Sequence, residues 1–466
     1  MSDHRSIDTL CGRAHPSRVS RRQFVKAGGS AAAAVGAAAL IGRSAAARPS
    51  FQPSLKQDLA AAELTFYFGA NPVEAETRQK VIDAFTAKYP QITIKPQVAE
   101  GDPIQELQVQ FAGGSGPDIM MAWELSYSGL AEREIYADLN QFIQADPEFA
   151  AVVQNDHIPE LLQMFQWNGA QQVLPEQYAG VVLYYNKKLF AEAGIAPPPA
   201  DWTDTSWTYQ KFLETAQALT KKDGSRVTQF GFADAWWPPL SAAVWATGNG
   251  GNWFDAYVNP EASTITDPKF TEGVQFFADL VNVHGVAPNA EQSQTQSGAD
   301  RFIAGQVAMC LVGHWFYPAF STTEGLEFDI GVFPLGPGGT TPKTDLGSTG
   351  LSVSASTEYP EHAWEFVKFS TGPEGQKIIA ESGLFVPVLK SVGASESFTG
   401  AHSKIENTQV FTEALTNSVP LPITPVWNEI VAVWERETTK ILRGEAKAAD
   451  VHAAIEPQIT GLLQRG

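Results

Sequence analysis

Cysteine is nearly missing from this chain of 466 residues: Cys11 and Cys310 are the two it has. Cys11 lies in a leader segment described below, so Cys310 is left alone and no intramolecular disulfide is expected. Histidine is also scarce. Eight are present, six of them beyond residue 47, and no two of those six lie within five residues of each other. That spacing excludes a local metal-ligand pair, and neither a metal nor a cofactor is expected. The motifs of common enzymes are missing too: no His-Glu-x-x-His, no Gly-x-Ser-x-Gly elbow, no Walker loop, no Gly-x-Gly-x-x-Gly after a strand. Gly113-Gly114-Ser115-Gly116 runs into Pro117-Asp118 and a strand, the reverse of the strand-loop-helix order that cradles phosphate. No catalytic residue is therefore nominated. No apolar run beyond the leader reaches the ~20 residues a membrane helix needs. Basic charge is in short supply, with 32 Lys and Arg against 51 Asp and Glu. Nucleic acid and anionic membrane are excluded as partners on that ground.

What is present begins at the N-terminus. Ser20-Arg21-Arg22-Gln23-Phe24-Val25-Lys26 precedes a soft apolar run from Ala27 to Ile41, which ends at Ala45-Ala46-Ala47. A twin arginine, a run too short to span a bilayer and a small-x-small site read as a Tat export signal over residues 1–47. Seven basic and two acidic residues leave with it, so the remaining 419 residues carry a net charge of −24. A soluble, unanchored, periplasmic monomer is expected, long enough for two lobes.

Beyond the leader, short β-branched and aromatic runs alternate with helical periodicity, the pattern of α/β units. Leu64–Phe68, Ile92–Ile94, Asp118–Ala122 and Val181–Tyr185 read as strands. Asn71-Pro72-Val73-Glu74 reads as a helix start, with a cap, a first-turn proline and an acid. Asp267-Pro268 opens a second helix with Phe270, Val274, Phe277 and Leu280 facing inward, and Pro360 opens a third, ended by Gly372-Pro373.

All twelve Trp lie beyond the leader, many beside Gly, Pro or Asn. A flat apolar ring stacks on the C–H face of a sugar while nearby Asn, Glu or Asp read its hydroxyls. Trp123, Trp236, Trp237 and Trp315 are expected to meet a ligand on this ground. Trp207, Trp364 and Trp434, on helical patterns, are expected in the core. Asn249 sits in a Gly/Asn loop between Trp245 and Trp253, and Trp427 follows a proline-rich approach; both join the candidate site.

Six segments in order resemble a known family. They are Leu64–Phe68 with the helix ending at Tyr89-Pro90, Gly114–Ile119, Leu183–Phe190 with Ala193-Gly194-Ile195, Phe302–Met309, Tyr359–Phe366, and Pro373–Gln376. Together they are similar to the extracellular solute-binding proteins of ABC importers, the branch that includes sugar-binding members. The resemblance implies an α/β fold of two lobes with the ligand cleft between them and three hinge crossings, near Tyr178–Val181, Ile330–Pro334 and Ser370–Gly372. Residues 58–179 and 331–370 would form one lobe, 180–330 and 371–466 the other. It implies a small-molecule solute, carbohydrate foremost, and the transmembrane subunits of an ABC permease as partners. Its contact positions land on Trp123 and Glu124, on Gln177 or Tyr178, on Trp236-Trp237, on Trp315, and on Trp427 with Glu429. Asn71, in the first loop, and Gly347 with Ser348 complete the set. A receptor for a non-sugar solute (polyol phosphate, polyamine) and an exported carbohydrate-active enzyme remain as alternatives.

Overall fold

The computed structural model describes residues 59–70 and 72–465. The leader and Asn71 lie outside the described residues. Among the described residues, fourteen strands in chain order are β1 Ala62–Phe68, β2 Ile92–Val98, β3 Ile119–Trp123, β4 Gln166–Trp167, β5 Ala170–Gln171, β6 Leu174–Tyr178, β7 Val181–Asn186, β8 Lys221–Asp223, β9 Arg226–Asp234, β10 Val307–Gly313, β11 Phe328–Gly331, β12 Thr344–Leu346, β13 Ser348–Val353 and β14 Ser418–Pro420. Two five-stranded sheets dominate, one of order β2-β1-β3-β13-β6, the other β11-β7-β10-β9-β8. Each anchors one lobe of a two-lobed α/β fold.

In the first lobe the period of two along β1 sends Leu64, Phe66 and Phe68 to one face and Tyr67 to the other. β2 and β3 lie parallel to β1, which forces helical crossovers between them. The helix Pro103–Ala112 starts because Asp102 accepts from the backbone N–H of Ile104 at 2.9 Å and of Gln105 at 3.2 Å. The Leu64 face is covered by helix Pro72–Lys88 through Val81, Ile82 and Phe85, and by helix Pro360–Thr371 through Ala363, Phe366 and Val367. Trp364 stacks on Phe142 at 5.3 Å.

In the second lobe β7 and β10 are buried along their whole length, as strands covered on both faces are. Cys310 sits mid-strand, fully buried, and burial pushes its thiol pKa up. Trp434, on helix Trp427–Leu442, donates its ring N–H to the Pro239 carbonyl at 2.6 Å.

Three passages join the lobes. The chain leaves β6 at Tyr178 and enters β7 at Val181. The return comes later than the expected Ile330–Pro334. Val332 and Phe333 stay in the core around the second sheet, and Leu335 exchanges backbone bonds with Trp207 and Tyr209. The chain regains the first sheet only through β12 and β13. The third passage also differs from the expected Ser370–Gly372. Gly372 ends one helix in extended conformation and Pro373 at once begins another, Pro373–Glu381, which packs on helix Pro72–Lys88. Gly-Pro stops a helix without marking a lobe boundary. Val386 then bridges Tyr178 and Leu389 bridges His157, and Phe398 stacks against His314 of the second lobe. The passages are cross-tied: Val181 N–H donates to Asp345 Oδ1 at 2.8 Å, and Thr344 Oγ1 donates to the Val181 carbonyl at 2.6 Å.

Candidate functional site

The C-terminal ends of β3 and β6 and the start of β13 meet where the passages leave the first lobe. There Trp123 lies against Gly69: a Cβ at that glycine would sit 2.9 Å from the indole. Glu124 follows, its backbone N–H donating to the Ser348 carbonyl at 3.3 Å. A Cβ at Gly347 would lie 3.6 Å from Glu124 Oε1 and 3.7 Å from Asp345 Oδ2, so two carboxylates flank that glycine. Burial raises the Glu124 carboxyl to about 8, with Asp345 adding to the rise. Burial likewise raises Asp345 to about 6, against the Val181 N–H that it accepts. Tyr257, from the second lobe, is close enough for Glu124 to push its hydroxyl pKa up further than burial alone does. The hydroxyls of Tyr178, Tyr257 and Thr349 are buried with no protein partner. Polar groups this well covered are normally bonded. Here Tyr178 stands near Asp345 and Tyr257 near Glu124.

Across the cleft, β9 and β10 end in aromatic turns. Trp236 N–H donates to Asp234 Oδ1 at 2.7 Å, and burial holds Asp234 up at about 6. Trp237 donates its ring N–H to Glu435 Oε1 at 3.2 Å. The Trp315 indole folds back over Gly313, where a Cβ would stand only 1.8 Å from the ring. Trp315 remains partly exposed and packs against the cores of both lobes. His314 turns the opposite way, fully buried, with its ring nitrogens 2.8 Å from the Leu384 carbonyl and 2.7 Å from His402 Nε2. All three tryptophans border one cavity of about 1060 Å³. Most of its wall is second-lobe; Val73 comes from the first lobe and Leu384 from the third passage.

The model of one family, described as "Bacterial extracellular solute-binding protein", matches residues 69–377. That is well over half of the chain. This protein belongs to that family. The solute-binding protein is 24% identical over 383 residues to a "Probable ABC transporter-binding protein" of Deinococcus radiodurans, covering 79% of this chain and 85% of that one. Among solved structures, an ABC substrate-binding protein of Listeria monocytogenes in complex with cycloalternan superposes with a TM-score of 0.75 at 25% identity, over 86% of this chain and 98% of that one. The GacH receptor of Streptomyces glaucescens, solved unliganded and with acarbose, superposes with a TM-score of 0.74 at 20% identity, over 87% and 99%. Among the described residues no helix is long and apolar enough to cross a membrane, and no cluster of metal-ligating side chains is present.

Of the residues proposed for this solute-binding protein's site, Trp123, Glu124, Tyr178 and Gly347 gather at the first-lobe edge, and Trp236, Trp237 and Trp315 at the cavity. Gln177 and Ser348 lie in the same strands, but Ser348 spends its hydroxyl on the Gln177 carbonyl at 2.8 Å. Three others lie elsewhere. Asn249 is 1% exposed, its amide donating to the Lys269 carbonyl and accepting from Gly338 N–H, so it pins loops together. Trp427 is 2% exposed in an aromatic cluster with Trp253 and Phe254. Glu429 is exposed on the helix that Trp427 begins. Asp345 and Tyr257 were not foreseen, because nothing in their sequence neighbours sets them apart from the other acids and tyrosines. Asp234 could have been found, being two residues before Trp236 at a strand end.

The raised Glu124 pKa has a measurable consequence. Its native value near 8 lies above the value near 4.5 of an unfolded glutamate, so the native state holds a proton that the unfolded chain releases. The stabilising effect is present below about pH 4.5 and is lost as pH rises through 8. Glu124→Gln should flatten the fall in melting temperature between pH 5 and 8.5 and melt above the parent at pH 8.5. Parallel pH profiles would contradict this.

Proposed function

We propose that this protein is the receptor of an ABC importer for a neutral saccharide, capturing it by lobe closure and passing it unaltered to a membrane permease. The observation that carries the reading is the gathering of aromatic faces, two carboxylates and unpartnered hydroxyls where the lobes meet. Aromatic rings take the C–H faces of sugar rings, and acids and hydroxyls take their O–H groups. Relatives of the same fold bind cycloalternan and acarbose, which supports a saccharide here. An anionic solute is disfavoured, because Arg443 is the one basic residue among those described as lining the cavity and phosphate recognition favours clustered cations. Closure follows from differential binding: a ligand touching both lobes stabilises the closed state over the open one. A thermal-shift screen against mono- and oligosaccharides tests the reading, since a ligand that binds only the native state raises its melting point. Responses to phosphorylated or polyamine solutes alone would contradict it.

Delivery to the periplasm by the Tat route belongs to the same reading and rests on Arg21-Arg22. Arg21→Lys with Arg22→Lys should stop export while leaving the purified mature chain's melting point unchanged. A normal periplasmic yield of the double variant would contradict the Tat route.

A further inference from the structure

Two fully buried histidines meet through their Nε2 atoms behind Trp315. His314 Nε2 lies 2.7 Å from His402 Nε2, His314 Nδ1 lies 2.8 Å from the Leu384 carbonyl, and His402 Nδ1 lies 2.6 Å from the Phe398 carbonyl. A carbonyl oxygen only accepts, so each Nδ1 must carry a hydrogen to bond it, and a neutral imidazole has one N–H. Two neutral rings that satisfy both carbonyls therefore turn bare Nε2 lone pairs on each other. If one ring moves its hydrogen to Nε2, a carbonyl faces a lone pair instead. Three hydrogens on the two rings satisfy all three contacts; two cannot, and an unmade bond at this depth is costly. A metal ion does not fit in place of the third hydrogen. Two zinc–nitrogen bonds of ~2.0–2.1 Å at a tetrahedral angle would hold the nitrogens roughly 3.4 Å apart.

Tyr317 packs on both rings and accepts at its hydroxyl from the Lys404 backbone N–H, while Phe398 and Phe411 close the other sides. No carboxylate is among the groups that shift either ring. Burial, and after it the charge of His402, lower the proton affinity of His314, and burial lowers that of His402. Both effects act hardest against a doubly charged pair, whereas the three short contacts favour a singly charged one. His314 directly precedes Trp315, and Leu384, whose carbonyl it holds, lines the same cavity from the third passage.

We propose that His314 and His402 share one proton, and that this charged clasp fastens the Trp315 turn to the third passage and so sets the cavity wall. That the cavity seats a solute rests on the reading above; the clasp does not. Two unfolded histidines hold one proton between them near pH ~6.5. Above that pH the clasp keeps a proton that the unfolded chain releases, and below it the unfolded chain takes up a second that the clasp refuses. Its contribution to stability therefore peaks there and declines to either side.

The test is NMR of the exported chain labelled with nitrogen-15 at histidine. At pH 6.5 both Nδ1 atoms should be protonated, and one labile proton should resonate far downfield of the other imidazole N–H signals. It should vanish in His402→Gln, whose amide donates to His314 Nε2 without charge. The Trp315 indole N–H signal, assigned with Trp315→Phe, should move as rising pH removes the downfield proton, and should stay still over that range in His402→Gln. His314→Gln replaces that variant if it fails to fold, and the proton count of the parent decides if neither folds. An unprotonated Nδ1 with no downfield signal would overturn the clasp. A Trp315 signal titrating alike in parent and variant would overturn its hold on the wall, and a metal ion whose chelation shifts both rings would replace the proton. None of these readouts involves a solute, so a screen without any saccharide response would overturn the proposed function and leave the clasp standing.

Discussion

Replacing Arg78 by methionine should destabilise the solute-binding protein by about 3–5 kcal/mol, the usual penalty for leaving a buried charge without its partner. Arg78 Nη1 lies 2.6 and 2.9 Å from the two carboxylate oxygens of Glu176, with 6% and 3% of the two side chains exposed. The guanidinium carbon is 5.2 Å from the Phe68 ring centroid and 5.8 Å from that of Phe66, so aromatic faces fill the space water would need. The pair ties helix Pro72–Lys88 to the edge strand β6, which ends at the first passage. Methionine keeps most of the volume and abandons Glu176 in hydrocarbon. Arg78→Met with Glu176→Leu should recover most of the loss, because the ion pair's own desolvation cost disappears with it. Urea unfolding of the first lobe measures both. A single-variant loss below about 1 kcal/mol, or no recovery in the double variant, would show that the pair is not buried as described.

Trp315→Ala should remove roughly 1–3 kcal/mol of solute binding, the worth of a stacked and partly buried indole. That corresponds to about five- to 150-fold in dissociation constant. The ring lies over Gly313 and borders the cavity, yet it remains partly exposed. Its loss should therefore cost the ligand-free protein less than deletion of the fully buried Trp364 or Trp434. Calorimetry against the screened solute, with melting of the free protein alongside, separates the two effects. Intact affinity in a badly destabilised variant would place Trp315 in the core.

How far the chain could be read without coordinates varied by element. β1, β2, β3 and β7 carry apolar or β-branched runs bounded by turn residues, and each was legible. Trp236, Trp237 and Trp315 were nominated from the turn residues around them, and they do follow the ends of β9 and β10. Trp123 was a candidate as a tryptophan outside the apolar stripes, and Glu124 became one through motif order. Trp427 was misread for a physical reason. A proline-rich approach looks like a loop, but the ring begins an amphipathic helix, and only tertiary packing decides that it turns toward Trp253. Asn249 failed similarly: a Gly/Asn loop gives no sign that its amide will be consumed by Lys269 and Gly338. The second and third passages, which the resemblance put near Ile330–Pro334 and Ser370–Gly372, come later in the chain, because motif order says nothing about which lobe the next segment packs on. Asp345 is legible only after β12 returns beside Val181.

The central claim is that a saccharide-bearing solute is held between the lobes and released unchanged. Isothermal titration of the mature protein with the solute found by screening, followed by mass spectrometry of the solute recovered after denaturation, tests this most directly. The account predicts one site per chain, saturable binding weakened by Trp315→Ala, and a recovered solute of unaltered mass. Released reducing ends, or a recovered fragment, would make the carboxylates at Glu124 and Asp345 a catalytic pair and contradict the account.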